Sequence, residues 1–168
     1  ITLLSNEITN SGSIGKLQEF FHLELGKLGF NHFNVTTLTK GIKGSQSFSL
    51  ELSGKNASIL DIASEGEQKC ISLAGFFAEL TADNRNSAII FDDPVNSLDH
   101  IWRLKFSKRI AEEANKRQVI VLTHDLPFLK MLQETSTNIE IKAITRDNKV
   151  TGIPLDSPPW DALKTADR

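Results

Sequence analysis

Apolar and polar positions alternate along this chain with two periods, and the switches between them outline its elements. Residues 14 to 28, "IGKLQEFFHLELGKL", place Ile14, Leu17, Phe21, Leu25 and Leu28 on one helical stripe, and Gly29 ends it. "FNVTTL" and "SFSLEL" alternate with period two around the glycine-bearing "TKGIKGSQ", which predicts a β-hairpin with a longish loop. "SGKNAS" reads as a turn. Residues 67 to 80, "EQKCISLAGFFAEL", are apolar on nearly every face and predict a buried helix. "SAIIFDD" and "QVIVLTHD" are short continuous apolar runs, the pattern of strands covered on both sides. A helix from about His100 to Lys116 separates them, and "LPFLKMLQE" predicts a shorter helix after the second. "NIEIKAITRDNKVTGIPL" reads as a second hairpin turning at Asp147-Asn148, and "DSPPWDALKTADR" as the start of a further helix. Strand–helix–strand–helix in the middle predicts an α/β fold: a parallel sheet flanked by helices, with antiparallel hairpins at an edge.

Composition narrows the class. At 168 residues the chain fits a single domain over 1–168, and 39% hydrophobic with 24% charged residues is ordinary for a globular protein. No apolar run reaches the ~20 residues of a membrane helix, and the N-terminus has no signal-peptide layout. Cys70 is the single cysteine, which rules out an internal disulfide and makes the cytoplasm the expected location. Two glycosylation triplets, at Asn34 and Asn56, then read as chance. A net charge of −2 gives no electrostatic footprint for nucleic acid. A chain that begins at Ile1 and has one methionine, Met131, reads as a piece of something longer.

Three polar clusters carry the chemistry. "NSGSIGKL", residues 10 to 17, is not one of them. It contains Gly-Lys, but Asn10 stands where a phosphate-binding P-loop needs glycine and Leu17 where it needs a hydroxyl. In "ASEGEQK", Ser64 and Glu67 form a capping box before an apolar helix, and the same helix start, with flexible Gly66, suits a phosphate oxygen. In "AIIFDDPVNSLDH", Asp92 and Asp93 sit at a strand's end, where parallel sheets bind ligands; the alternative is a plain Asp-Asp-Pro turn. In "VIVLTHD", His124 ends the next strand. Each cluster alone has a structural explanation. All three, each at the end of a buried element and in a fixed order, are hard to obtain by chance.

Together "SEGEQKCISLAGFFAEL", "IIFDDPVNSLDH" and "QVIVLTHDLPFLKML" resemble the C-terminal half of an ABC-type ATPase head, of the SMC/RecF-like kind with long coiled-coil insertions. Within that group they are similar to bacterial defence ATPases of the PrrC-like anticodon-nuclease and Septu type. The resemblance spans roughly residues 14 to 160, including Pro159-Trp160. It implies a P-loop NTPase fold and a head that dimerises around ATP and Mg²⁺ and gates an effector. It assigns Ser64, Gly66 and Glu67 to the signature motif that meets the γ-phosphate held by the opposite protomer. Asp92 becomes the Mg²⁺-linked Walker B aspartate, and Asp93 the residue that orients the hydrolytic water. Ser97, Leu98 and Asp99 become the D-loop, and His124 the switch histidine. Two positions depart from the pattern: Ala63 replaces the signature's leading leucine, and Asp93 replaces the glutamate of most such ATPases, although the Asp-Asp-Pro subgroup shares the aspartate.

The implied partners are an N-terminal lobe carrying Walker A, a second protomer in a homodimer, and an effector nuclease; a membrane is not among them. Without Walker A, the chain alone is expected neither to bind ATP tightly nor to hydrolyse it. Three alternatives stay open. The same head serves DNA repair and chromosome handling. A non-catalytic interaction module could keep the shape. A Toprim-like metal nuclease would use Glu65 and the aspartates, but it wants its glutamate at a strand's end, and Glu65 precedes a helix.

Overall fold

A computed structural model describes residues 13–31, 35–42, 45–52, 59–83, 86–146 and 150–155. Two compact units divide the chain, Ile1–Thr135 and Ser136–Arg168.

The first unit opens with α1 (Ser13–Leu28). Its stripe of Phe21, Leu25 and Leu28 is buried as the periodicity predicts. Gly29 closes the helix at φ 71°, donating its N–H to the Gly26 carbonyl while Phe30 N–H reaches the Leu25 carbonyl. This is the left-handed glycine cap that ends helices cheaply. The hairpin follows as β1 (Val35–Ile42) and β2 (Ser45–Leu52), paired antiparallel from Val35↔Leu52 to Ile42↔Ser45. Only residues 43 and 44 lie between the strands, so the long loop expected from "TKGIKGSQ" is mostly strand. Ladder hydrogen bonds come from the backbone and continue through Thr39, Lys40 and Gly41 whatever their side chains.

A four-residue helix, α2 (Ile59–Ile62), leads into the long α3 (Glu65–Asp83). β3 (Ile89–Asp92), α4 (His100–Ala114), β4 (Val119–Leu122) and α5 (Leu126–Thr135) complete the unit. β3 and β4 pair in parallel, in register from Ile89↔Val119 to Asp92↔Leu122. The core lies between one face of this pair and the helices. Phe77 of α3, Phe91 of β3, Phe106 of α4 and Phe128 of α5 meet in stacked, tilted and edge-to-face pairs at 5.5–6.2 Å between centroids. α1 adds Phe21, Leu25 and Leu28 against Ile71, Ala74 and Ala78 in the same core.

Both strands were expected to be covered on two faces; the structure corrects this. In a parallel pair, residues in register share a face. Ile89 and Phe91 are buried, whereas Ile90 is 63% exposed, Ile120 38% and Leu122 46%. One face is core and the other open. α3 likewise buries one broad face (Cys70, Ile71, Ala74, Phe77, Ala78) and leaves Ser72, Phe76 and Glu79 exposed.

The second unit contains β5 (Ala143–Arg146) and β6 (Thr151–Leu155), antiparallel with an irregularity at Thr145/Arg146. This is the second expected hairpin. Among the described residues each hairpin is a two-stranded sheet of its own, not an added edge of the β3–β4 pair. The turn at Asp147-Asn148, the "SGKNAS" turn, Pro159-Trp160 and the terminal helix expectation lie outside the described residues.

Candidate functional site

The carboxyl ends of β3 and β4 lie side by side, and the residues that follow them meet. Asp93 donates its backbone N–H to the Leu122 carbonyl at 2.8 Å, which carries the parallel ladder one residue past β3. Its φ of 40° then turns the chain out of the sheet. Aspartate tolerates this left-handed region better than most residues. The turn aims the carboxylate at β4's exit: Oδ1 accepts the His124 backbone N–H at 3.2 Å, and Oδ2 lies 2.8 Å from His124 Nδ1. Burial alone would raise this carboxyl, but hydrogen bonds from the His124 backbone and ring and from Thr123 outweigh it, so Asp93 sits below the usual aspartate value. Two residues that are 31 apart in sequence and named separately by the motifs therefore form one pair.

Asp92 pairs in register with Leu122, alongside Ile90↔Ile120. It therefore stands on the open face of the sheet, exposed to solvent. Oxygen ligands suit Mg²⁺, which typically takes one or two carboxylates and fills its remaining positions with water and phosphate. A lone Asp92 fits that pattern and no protein cage is needed; among the described residues no cluster of three acidic, His or Cys side chains forms one.

The Ser64 cluster folds as the capping box its spacing predicts. Ser64 N–H and Oγ both donate to Glu67 Oε2 at 2.7 Å, and Glu67 N–H reaches Ser64 Oγ at 3.4 Å. The start of α3 is thereby fixed, and Ser64 and Glu67 are bonded to each other rather than to the aspartates. Gly66 is buried against the loop after β3: a Cβ there would come within 2.5 Å of the Ser97 carbonyl oxygen and 3.3 Å of the Trp102 ring. Only glycine permits this approach. The helix start and the 97–99 segment are thus packed backbone to backbone.

Ser97 itself is held at φ 68°. Leu98 is buried, and its N–H closes a turn on the Val95 carbonyl at 3.1 Å. Asp99 is the N-cap of α4, with Oδ1 accepting Trp102 N–H at 2.8 Å. Two residues that the motif reading did not single out complete the arrangement. Arg103, four residues after Asp99, donates Nε–H to the Leu98 carbonyl at 2.9 Å and Nη1–H to Asp125 Oδ2 at 2.5 Å. Asp125 follows His124 and caps α5 through Oδ1, which accepts Phe128 N–H at 2.8 Å. The cap was readable from "THDLPF", an acid just before a helix with proline in its first turn; the reach of Arg103 to it was not.

Comparison with known proteins bears on the fold. The family described as an AAA domain matches residues 6–152. No curated protein matches the chain. Among solved structures, one from work on ATP-driven dimerization and DNA-stimulated activation of SMC ATPases aligns over 96% of this chain and 94% of its own, at 17% identity and a TM-score of 0.69. An Smc head domain with coiled coil and joint from Pyrococcus yayanosii aligns over 92% of this chain at 18% identity and TM-score 0.70, and an Smc head bound to the C-winged helix domain of ScpA over 89% at 18% and 0.66. This chain spans 29% of the former structure's length and 44% of the latter's. At these identities the likeness is one of fold alone: α/β, of the P-loop NTPase kind, similar to SMC head domains.

Proposed function

This chain belongs to the AAA domain family, and from that premise we propose that it is the C-terminal lobe of an ABC-type, SMC-like ATPase head, which hydrolyses ATP when completed by a Walker A lobe and a second protomer. The observation that carries the reading is the Asp93–His124 pair at the ends of adjacent parallel strands. A carboxylate kept ionised beside a histidine can accept a proton from water and orient it toward a γ-phosphate. In this reading Asp92 holds Mg²⁺, Ser64, Gly66 and Glu67 meet the phosphate across the dimer, and Ser97 to Asp99 cross the interface. Bound ATP and Mg²⁺ would supply the phosphoryl group and neutralise its charge; the chain's own residues place water and sense the phosphate.

The open apolar face of β3–β4 supports the Walker A lobe as a partner. Ile90, Ile120 and Leu122 are the residues a covering layer would bury, and Asp92 stands among them. The finer reading, an anti-phage defence ATPase in the cytoplasm that gates an effector nuclease, rests on the motif resemblance. No helix among the described residues is long and apolar enough to cross a membrane.

The test is ATP turnover by the full-length protein. Asp93→Asn keeps the shape and removes the base, and is expected to lower kcat by roughly 10²–10⁴-fold. Unchanged turnover would show that Asp93 does not orient the water.

A further inference from the structure

The loops leaving β3 and β4 are joined by the parallel ladder behind them and by the Asp93–His124 pair at their start. Here a side chain spans the two in front. The β3 exit, residues 93–99, carries Asp93 at one end and the Ser97–Asp99 segment at the other; the β4 exit carries His124. Arg103 sits in the first turns of α4 with Nε on the Leu98 carbonyl and Nη1 on the Asp125 carboxylate. Its side chain is 25% exposed and that of Asp125 18%, so the ion pair is mostly withdrawn from water. Each acceptor is committed elsewhere too. Leu98 belongs to the turn closed by its own N–H on Val95, and Asp125 caps α5 while donating its own N–H to Thr123 Oγ1 at 3.1 Å. Moving either loop breaks a bond to Arg103.

We infer that Arg103 is a positioning residue that couples the 97–99 segment to the His124 turn, so that a displacement at one is felt at the other. The inference rests on the function proposed above, in which those two segments meet, respectively, a second protomer and the γ-phosphate. The chemistry explains why the residue is arginine. A guanidinium presents several donors in a fixed plane and can hold a carbonyl and a carboxylate at once; a lysine ammonium at the end of a flexible stem gives one point charge. Gly66, packed on the Ser97 carbonyl, extends the same brace to the start of α3.

The experiment compares full-length wild type with Arg103→Met, Arg103→Lys, Asp125→Asn and the Met/Asn double variant. Asparagine at 125 keeps an oxygen for the α5 cap while losing the charge partner. The expected result is a kcat lower by roughly 10- to 100-fold in each single variant, as for a misplaced catalytic group. KM for ATP should stay within about threefold, the double variant should be no worse than either single, and lysine should not rescue. Wild-type kcat in Arg103→Met, full rescue by lysine, or additive losses would overturn the inference. Amide exchange without nucleotide gives a second readout: residues 95–99 and 123–126 should both exchange faster in Arg103→Met, and an unchanged rate in either segment counts against the coupling. If wild type itself turns over no ATP, the ATPase reading has failed, and the exchange experiment still decides whether Arg103 couples the loops.

Discussion

At the scale of single residues, Asp93 owes its chemistry to backbone as much as to side chain. Its left-handed turn points the carboxylate sideways along the sheet edge, where the next strand delivers His124. The pair of motifs was legible in the sequence, because a polar residue ending an apolar run marks a strand's exit. That they touch was not, since nothing in "FDD" or "LTH" states which strands are neighbours. Arg103 was hidden for the same reason: its partner lies 22 residues away across two loops. Cys70 is the opposite case, a residue whose bland reading holds. It is buried on α3, and that burial pushes its thiol up to about 12, so almost no thiolate exists near neutral pH. Cys70 should therefore resist an aromatic disulfide reagent in the folded protein and react on unfolding in urea. Rapid native-state labelling of Cys70 would contradict its placement.

At the scale of elements, α1, α3 and α4 are joined by buried charge as well as by apolar packing. Arg109 of α4, 2% exposed, places Nε and Nη2 on the two Glu24 oxygens of α1 at 2.5 and 3.1 Å and Nη1 on Glu113 at 2.8 Å. Its guanidinium lies 4.1 Å from the centre of the Phe77 ring on α3. Arg117 adds a second cation to Glu113 at 2.7 Å. Among the described residues no buried side-chain polar atom lacks a partner. Removing one member strands the others, so Arg109→Met should cost about 3–5 kcal/mol in urea unfolding. Lys27→Ala removes a half-exposed partner of both Glu24 and Glu112 but leaves Arg109 on Glu24, so it should cost less, about 1 kcal/mol.

The pH dependence follows from the same cluster. Burial raises the Glu113 carboxyl, yet the Arg109 hydrogen bond and the nearby cations outweigh this and hold it below the usual glutamate value. Its contribution is therefore complete above the unfolded carboxylate range and is lost as pH falls through the lower folded value. Acid titration of wild type should show that loss, and Glu113→Gln should flatten it. The helices that form this junction were legible in the sequence, α1 from its apolar stripe, but nothing there marks Glu24 and Arg109 as buried partners. Period places a residue on a face, and only packing reveals what covers that face. The open face of β3–β4 was unreadable for a related reason: an apolar run announces a strand and does not say which of its faces the chain itself covers.

At the scale of the whole molecule, several of the candidate residues lie at the surface. Asp92 stands on an uncovered sheet face, and Ser64 and Ser97 are exposed at the start of α3 and in the loop after β3. Such a surface has chemistry to offer only when nucleotide and partner arrive together, which is the central claim. The measurement that tests it most directly is site-specific crosslinking in full-length protein carrying Asp93→Asn to retain ATP. Asn96→Cys would be the reactive position, exposed next to Ser97, with other exposed cysteines replaced. A short bis-maleimide should join two copies when ATP and Mg²⁺ are present and not in their absence, and Ser64→Arg should abolish the product. Equal crosslinking with and without ATP, or an ATP-dependent product that survives Ser64→Arg, would contradict a site shared between two protomers.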